Sequence, residues 1–173
     1  MEKLNHNKRS VKGTKFIVLI CLLILIISFS SCNDDDKDMR PWETEVAQLR
    51  TAVEPFKDFN AAQNSGYDIK ATEYRTQMGF HYLNAGLLDG TFEVVKPEVL
   101  IYIENTSGAM ELVAVEYGIP IEDLSNPPPP PEGYTGSDDV WKVDTEFNLW
   151  TLHVWVPMEN PEGIFTPRNP MLP

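Results

Sequence analysis

Three things are scarce in this 173-residue chain: cysteine, histidine and positive charge. It has two cysteines and three histidines. Cys21 lies in an apolar run near the N-terminus, so residues 33–173 hold no thiol. That excludes a disulfide framework, a cysteine-ligated metal and a cysteine nucleophile from those residues. Lys and Arg number 14 against 26 Asp and Glu, a net charge of −12. Phosphate backbones are held by surplus Lys and Arg, so this balance argues against a nucleic-acid partner. Catalytic motifs are missing as well. There is no phosphate-binding Gly-rich loop, Gly-x-Ser-x-Gly elbow, His-Glu-x-x-His pair or calcium-loop spacing. The hydrophobic share, 42%, is nevertheless that of a folded domain. The length suits one.

One region breaks the acidic pattern. Residues 1–15 carry Lys3, Lys8, Arg9, Lys12 and Lys15 against the single Glu2. From Phe16 to Phe29 the chain is uncharged and almost wholly apolar for 14 residues. A bilayer core of about 30 Å needs about 20 helical residues, so the run is short for a permanent span. Basic flank, short apolar stretch and small residues are the layout of a secretory signal peptide. Here Ser30 and Ser31 lead directly to Cys32. The arrangement resembles the lipobox of bacterial lipoproteins, with Phe29 where that pattern prefers Leu. The resemblance implies removal of residues 1–31 and acylation of Cys32, which becomes the new N-terminus and membrane anchor.

The physics of acylation supports that expectation. Each buried acyl CH₂ contributes about 0.8 kcal/mol, and two chains hold stably where one is marginal. A plain signal peptide with an incidental thiol at Cys32 is the competing reading, disfavoured because a lone exposed thiol is a liability after export. Asn33-Asp34-Asp35-Asp36-Lys37-Asp38 predicts a solvated tether over residues 32–40. It resembles the acidic stretch behind the lipidated cysteine of Bacteroidetes-type lipoproteins, which marks export to the cell surface. A mere spacer fits the composition equally. Without the signal, residues 32–173 carry 9 basic and 25 acidic side chains, a charge of −16. The expected location is the bacterial envelope, in the outer membrane, facing periplasm or cell surface.

Residues 41–173 read as a single α+β domain: an N-terminal helical segment on a small antiparallel sheet of about four or five strands. A cone-shaped sheet wrapped around the helix, as in cystatin-like folds, is the alternative. Pro41 suits the first position of a helix, and Glu43 and Glu45 suit its dipole. Val46, Leu49, Val53, Phe56 and Phe59 recur at helical spacing. Pro55 interrupts them and predicts a kink or two short helices. Gly66 is the expected C-cap. Strands are expected at Phe80–Leu83, Val99–Ile103, Glu111–Tyr117 and about Asn148–Val156, with a turn at Asn105–Gly108. Residues 127–136 begin with five prolines and predict a stiff surface loop. The turn-rich C-terminus lacks any period, and Phe165 is its expected anchor.

Once His6 leaves with the signal, His81 and His153 are the only imidazoles. Both lie in expected strands. Strict alternation along Glu111–Tyr117 puts Glu116 on the face of Leu112 and Ala114, opposite Val113, Val115 and Tyr117. If that face is inward, His81, His153 and Glu116 meet across neighbouring strands. Two imidazoles and a carboxylate hold Zn²⁺ or Fe²⁺ with open positions, or form a histidine–carboxylate acid–base pair. The plainer reading makes them core and rim residues hydrogen-bonded to neighbours. Asn84, Tyr82 and Trp155 are secondary ligand-binding candidates. Trp141, Trp150 and Trp155 together would offer a flat platform for a sugar, or simply fill core and rim.

Several phrases resemble an uncharacterised family of bacterial secreted proteins and lipoproteins. They are the helix ending in Gly66-Tyr67, Met78-Gly79-Phe80-His81-Tyr82-Leu83-Asn84, and Pro97-Glu98-Val99-Leu100-Ile101-Tyr102. Val115-Glu116-Tyr117, Leu152-His153-Val154-Trp155 and Asn160-Pro161-x-Gly163-x-Phe165 complete the set. The similarity covers most of residues 45–170. It implies interest in His81, Glu116 and His153 without assigning a role. Cysteines that some relatives have after the Gly-Tyr and at the C-terminus are absent here. Two functional readings stand: an envelope binding or interaction module without catalysis, and a metal-binding protein or metal-dependent envelope enzyme. A hydrolase with His81 as general base is a third.

Overall fold

In the computed structural model, which describes residues 40–173, the chain enters helix α1 (Pro41–Val53) through a proline at its first turn. The expected signal at 1–31, Cys32 and nearly all of the expected tether at 32–40 lie outside the described residues. Glu43 reaches back to the Arg40 backbone N–H (2.9 Å) and guanidinium (2.7 Å), closing the helix start. Val46, Leu49 and Val53 are its buried stripe. Pro55 does what its missing N–H dictates. The α-helix stops, a 3₁₀ turn spans Glu54–Lys57, and α2 (Phe59–Asn64) starts afresh. Asp58 caps α2, its Oδ1 accepting from the Asn60 and Ala61 N–H groups at 2.9 and 3.4 Å. Gly66 ends it at φ +100°, with Gly66 N–H on Gln63 O and Tyr67 N–H on Ala62 O, both 3.1 Å. None of the described helices is long and apolar enough to cross a membrane.

The sheet has six antiparallel strands: β1 (Ile69–Lys70), β2 (Phe80–Leu83), β3 (Val99–Glu104), β4 (Met110–Pro120), β5 (Lys142–Asp144) and β6 (Leu149–Val154). Their spatial order is β1-β2-β3-β4-β6-β5. This is the expected α+β class with slightly more strands than the four or five read from sequence. The additions are β1 and β5, edge strands of two and three residues. So short a run has no visible period.

Apolar residues occupy both faces. On the helix face Leu100, Tyr102, Leu112, Val115, Tyr117, Leu152 and Val154 pack against Val46, Leu49 and Val53. On the second face Val99, Ile101, Val113 and Ala114 pack with Trp155 and Leu172. The expected alternation along β4 fails here. Ile101 pairs with Ala114 but Tyr102 pairs with Leu112, leaving Val113 as an extra residue in a β-bulge. Leu112 therefore shares the helix face with Val115 and Tyr117, while Val113 and Ala114 both turn to the second face with Glu116. The carbonyl of Val113 accepts from Met158 N at 3.2 Å.

Chain without regular structure covers the second face. Trp155 N donates to Ile164 O (2.9 Å), Asn169 N to Gln77 O (2.9 Å), and Gln77 N to Pro173 O (2.8 Å). Phe165 is buried on the helix side, its ring 5.5 Å from Trp42 and 5.1 Å from Tyr134. A tight turn before β2 links Arg75 and Gly79 by two backbone hydrogen bonds, 3.0 and 2.9 Å. Gly79 has φ +115°, and a Cβ there would lie 2.5 Å from Tyr102 O, so only glycine fits. The proline-rich stretch has no helix or strand and lies mostly exposed; Trp150 Nε1 donates to Pro128 O at 3.3 Å.

Candidate metal centre

Three strands each send one titratable residue to the second face: His81 from β2, Glu116 from β4 and His153 from β6, with Thr151 of β6 beside them. Register brings them together. Glu116 stands opposite His153 on one side and Val99 on the other, while His81 stands opposite Ile101 in the adjoining row. That row continues to Ala114 on β4. The bulge at Val113 does not disturb this, because it lies beyond the Glu116 pairings.

All three residues are buried, with 4%, 9% and 5% of their surface exposed for His81, Glu116 and His153. Glu116 Oε1 lies 3.4 Å from His153 Nδ1, and Glu116 Oε2 lies 3.7 Å from His81 Nε2. One ligand atom from each residue lies within 4.8 Å of the others. Separations of this size are long for hydrogen bonds, which favour about 2.9 Å. They are nearer the edges of a coordination tetrahedron, where bonds of about 2.1 Å set adjacent ligands roughly 3.4 Å apart. The His81–Glu116–His153 group is thus a buried set that a metal ion fits.

Hydrogen bonding around the group agrees. Thr72 Oγ1 is 2.9 Å from His81 Nδ1. With Nδ1–H donating to that hydroxyl, the Nε2 lone pair is left on the Glu116 side, as in metal-bound imidazoles held by a neighbouring acceptor. The Thr151 side chain favours the ionised form of the Glu116 carboxylate. His153 Nε2 is buried and has no hydrogen-bond partner among the described residues. Such an orphan costs about 1–3 kcal/mol.

Charge states follow from burial. Desolvation pulls both imidazoles down from 6.5 to about 4; for His81 the Glu116 charge partly offsets it, and for His153 Arg75 and Arg168 add to it. Desolvation also raises Glu116, with His81 pulling the other way. Both imidazoles are therefore neutral at physiological pH, the form that binds metal.

The three residues line a cavity of about 420 Å³, within the range of small-molecule sites. Leu83, Leu88, Val99, Val143, Phe147 and Leu149 supply apolar walls, and Arg75, Lys142 and Arg168 contribute cations. Arg75 is itself held by Glu146 (2.5 Å) and Asp144 (3.8 Å).

The secondary candidates sit elsewhere. Asn84 shapes a turn, donating to Ser65 O (3.1 Å) and accepting from Gly86 N (3.1 Å). Tyr82 packs on the helix side, edge-on to Phe59 at 4.8 Å. Trp155 is buried in the second-face core and donates to Thr166 O at 2.7 Å. Trp141 belongs to the helix-side core, and neither it nor Trp150 lines the cavity. What sequence reasoning missed is the surround: Thr72, Arg75, Lys142 and Arg168. One signal was available. Residues 41–173 contain only seven Lys and Arg, and three of them line this one cavity. Comparison of the chain with protein-family profiles, curated proteins and solved structures returned no match.

Proposed function

We propose that this protein is an envelope-anchored metal-binding protein whose cavity holds Zn²⁺ or Fe²⁺ on His81, Glu116 and His153. The observation that carries the reading is the convergence of two buried neutral imidazoles and one buried carboxylate, with one ligand atom of each within 4.8 Å of the others. Nothing in that set suits a purely packing role, since apolar residues of the same volume would cost less to bury. Three protein ligands leave coordination positions open, and the adjoining cavity provides space for a small molecule there. The protein is thus read as a binding module built around a metal. Anchoring rests on the lipobox-like run ending in Cys32 and on the resemblance to bacterial lipoproteins.

Elemental analysis of protein purified without chelator tests the metal reading. The expected result is one equivalent of zinc or iron, lost in His81→Ala and in Glu116→Gln while the circular dichroism spectrum is retained. Metal-free protein that takes up neither ion on titration would overturn it. For the anchor, Cys32→Ser is expected to abolish acyl labelling and release the protein from membranes. Continued labelling and membrane association would refute lipidation.

A further inference from the structure

Among the described residues, cations are mostly neutralised locally. Arg40, Lys57, Lys70 and Lys96 each pair with a carboxylate three residues away at 2.5 to 2.9 Å. Arg75 pairs with Glu146 and Asp144. Lys142 and Arg168 have no carboxylate within ion-pair distance, and both line the cavity; Arg50 alone shares that condition, on the surface of α1. Two unpaired cations at one cavity mouth are unexpected in a chain with an acidic excess of this size. Both are exposed while the metal triad is buried, so the cavity runs from a cationic rim to a polar floor between apolar walls.

We infer that the cavity takes a small amphipathic monocarboxylate, its carboxylate held by Lys142 and Arg168 and its apolar body lying along Leu83, Val143 and Phe147. This rests on the reading of the same cavity as the metal-centred binding site and names the class of ligand it accepts. A single carboxylate matches the two cations left over: Arg75 is already paired with Asp144 and Glu146, while Lys142 and Arg168 have no carboxylate partner. The walls reject a wholly polar anion, because nothing on Leu83, Val143 or Phe147 replaces its lost hydration. Arg168 is pre-positioned for the task, since one guanidinium nitrogen already donates to Thr76 O at 2.7 Å.

Calorimetric titration of the purified protein with octanoate, and with 1-octanol as its uncharged counterpart, tests this. Octanoate is expected to bind more tightly than 1-octanol. Lys142→Met should weaken octanoate by about fivefold, the upper range for one partly exposed ion pair. Lys142→Glu should weaken it further, and both variants should leave 1-octanol binding and metal content unchanged. Arg168→Lys, which keeps the charge, should retain most of the affinity. Equal affinity for acid and alcohol, no binding of either, or indifference of octanoate to Lys142→Glu would overturn the inference. Metal content measured on the same samples separates the two readings. Octanoate binding with no metal leaves the rim assignment standing and the metal reading refuted. Stoichiometric metal without octanoate binding does the reverse. Octanoate binding that vanishes with chelation yet ignores Lys142→Glu places the carboxylate on the metal and refutes the rim.

Discussion

On the helix face of the sheet every buried tyrosine hydroxyl is satisfied: Tyr67 on Pro97 O at 2.8 Å, Tyr102 on Phe56 O at 2.6 Å, Tyr117 on Val94 O at 2.6 Å, and Tyr134 on the Tyr117 hydroxyl at 2.8 Å. On the opposite face two imidazoles and a carboxylate are buried at separations too long for good hydrogen bonds, beside an open cavity. The same six strands carry both. One face is packed in the manner of a core, with Trp141 Nε1 its one buried polar side-chain atom lacking a partner among the described residues. The other gives up packing and hydrogen bonds around three residues. The contrast teaches that the second face is shaped by something other than stability, since folds bear such costs where a site needs them.

Three measurements would break or sharpen that contrast. The largest effect is expected on the helix face. Leu100 is fully buried there, and Leu100→Ala should destabilise the protein by about 3 kcal/mol in urea denaturation. A loss under about 1 kcal/mol would mean that this face is not the tight core described.

A second effect is expected in acid and belongs to the second face. The His81 and His153 imidazoles are held at about 4 when folded, against 6.5 in the unfolded chain. Between those values the unfolded chain binds more protons, so stability rises with pH and is lost as pH falls from 6.5 towards 4. Glu116, and Glu98 raised to about 7, carry the opposite sign: their contribution is lost as pH rises from 4.5 through the folded value. The absolute curve mixes both. Comparing metal-free His153→Leu with the parent isolates one imidazole, and the acid loss should shrink by on the order of 3 kcal/mol. An unchanged pH curve would show that His153 is not buried in its neutral form.

The smallest effect has the most diagnostic sign. At pH 7.5 metal-free His153→Leu should be more stable than the parent by about 1 kcal/mol, because it removes an orphaned polar atom. The same change should eliminate metal-dependent stabilisation. A clear destabilisation would place His153 among the packing residues and erase the difference between the faces.

Much of this architecture was legible residue by residue. Pro55 and Gly66 marked helix interruptions because backbone chemistry acts locally, and β-branched and aromatic runs marked the four longer strands. His81, Glu116 and His153 stood out because imidazoles are so scarce. The bulge at Val113 was not legible. It arises from how Tyr102 and Ile101 pair with β4, and a single strand's alternation carries no trace of its partner. Edge strands β1 and β5 escaped for a related reason, being strands only because longer neighbours supply their hydrogen bonds. Thr72 and Arg168 joined the site from irregular segments, one between β1 and β2 and one after β6, linked to it by contacts rather than by spacing.

By itself the sequence determined the acidic balance, the thiol-free domain, the α+β class and the short list of residues able to hold a metal. Composition and local backbone preference suffice for these, because each depends on a residue and its near neighbours. The tertiary structure decided which of those residues meet. Convergence of β2, β4 and β6 on one face, the burial that keeps both imidazoles neutral, and the unpaired cations at the cavity rim depend on strand register and on what covers the sheet. Those are relations between segments far apart in the chain, and only folding sets them.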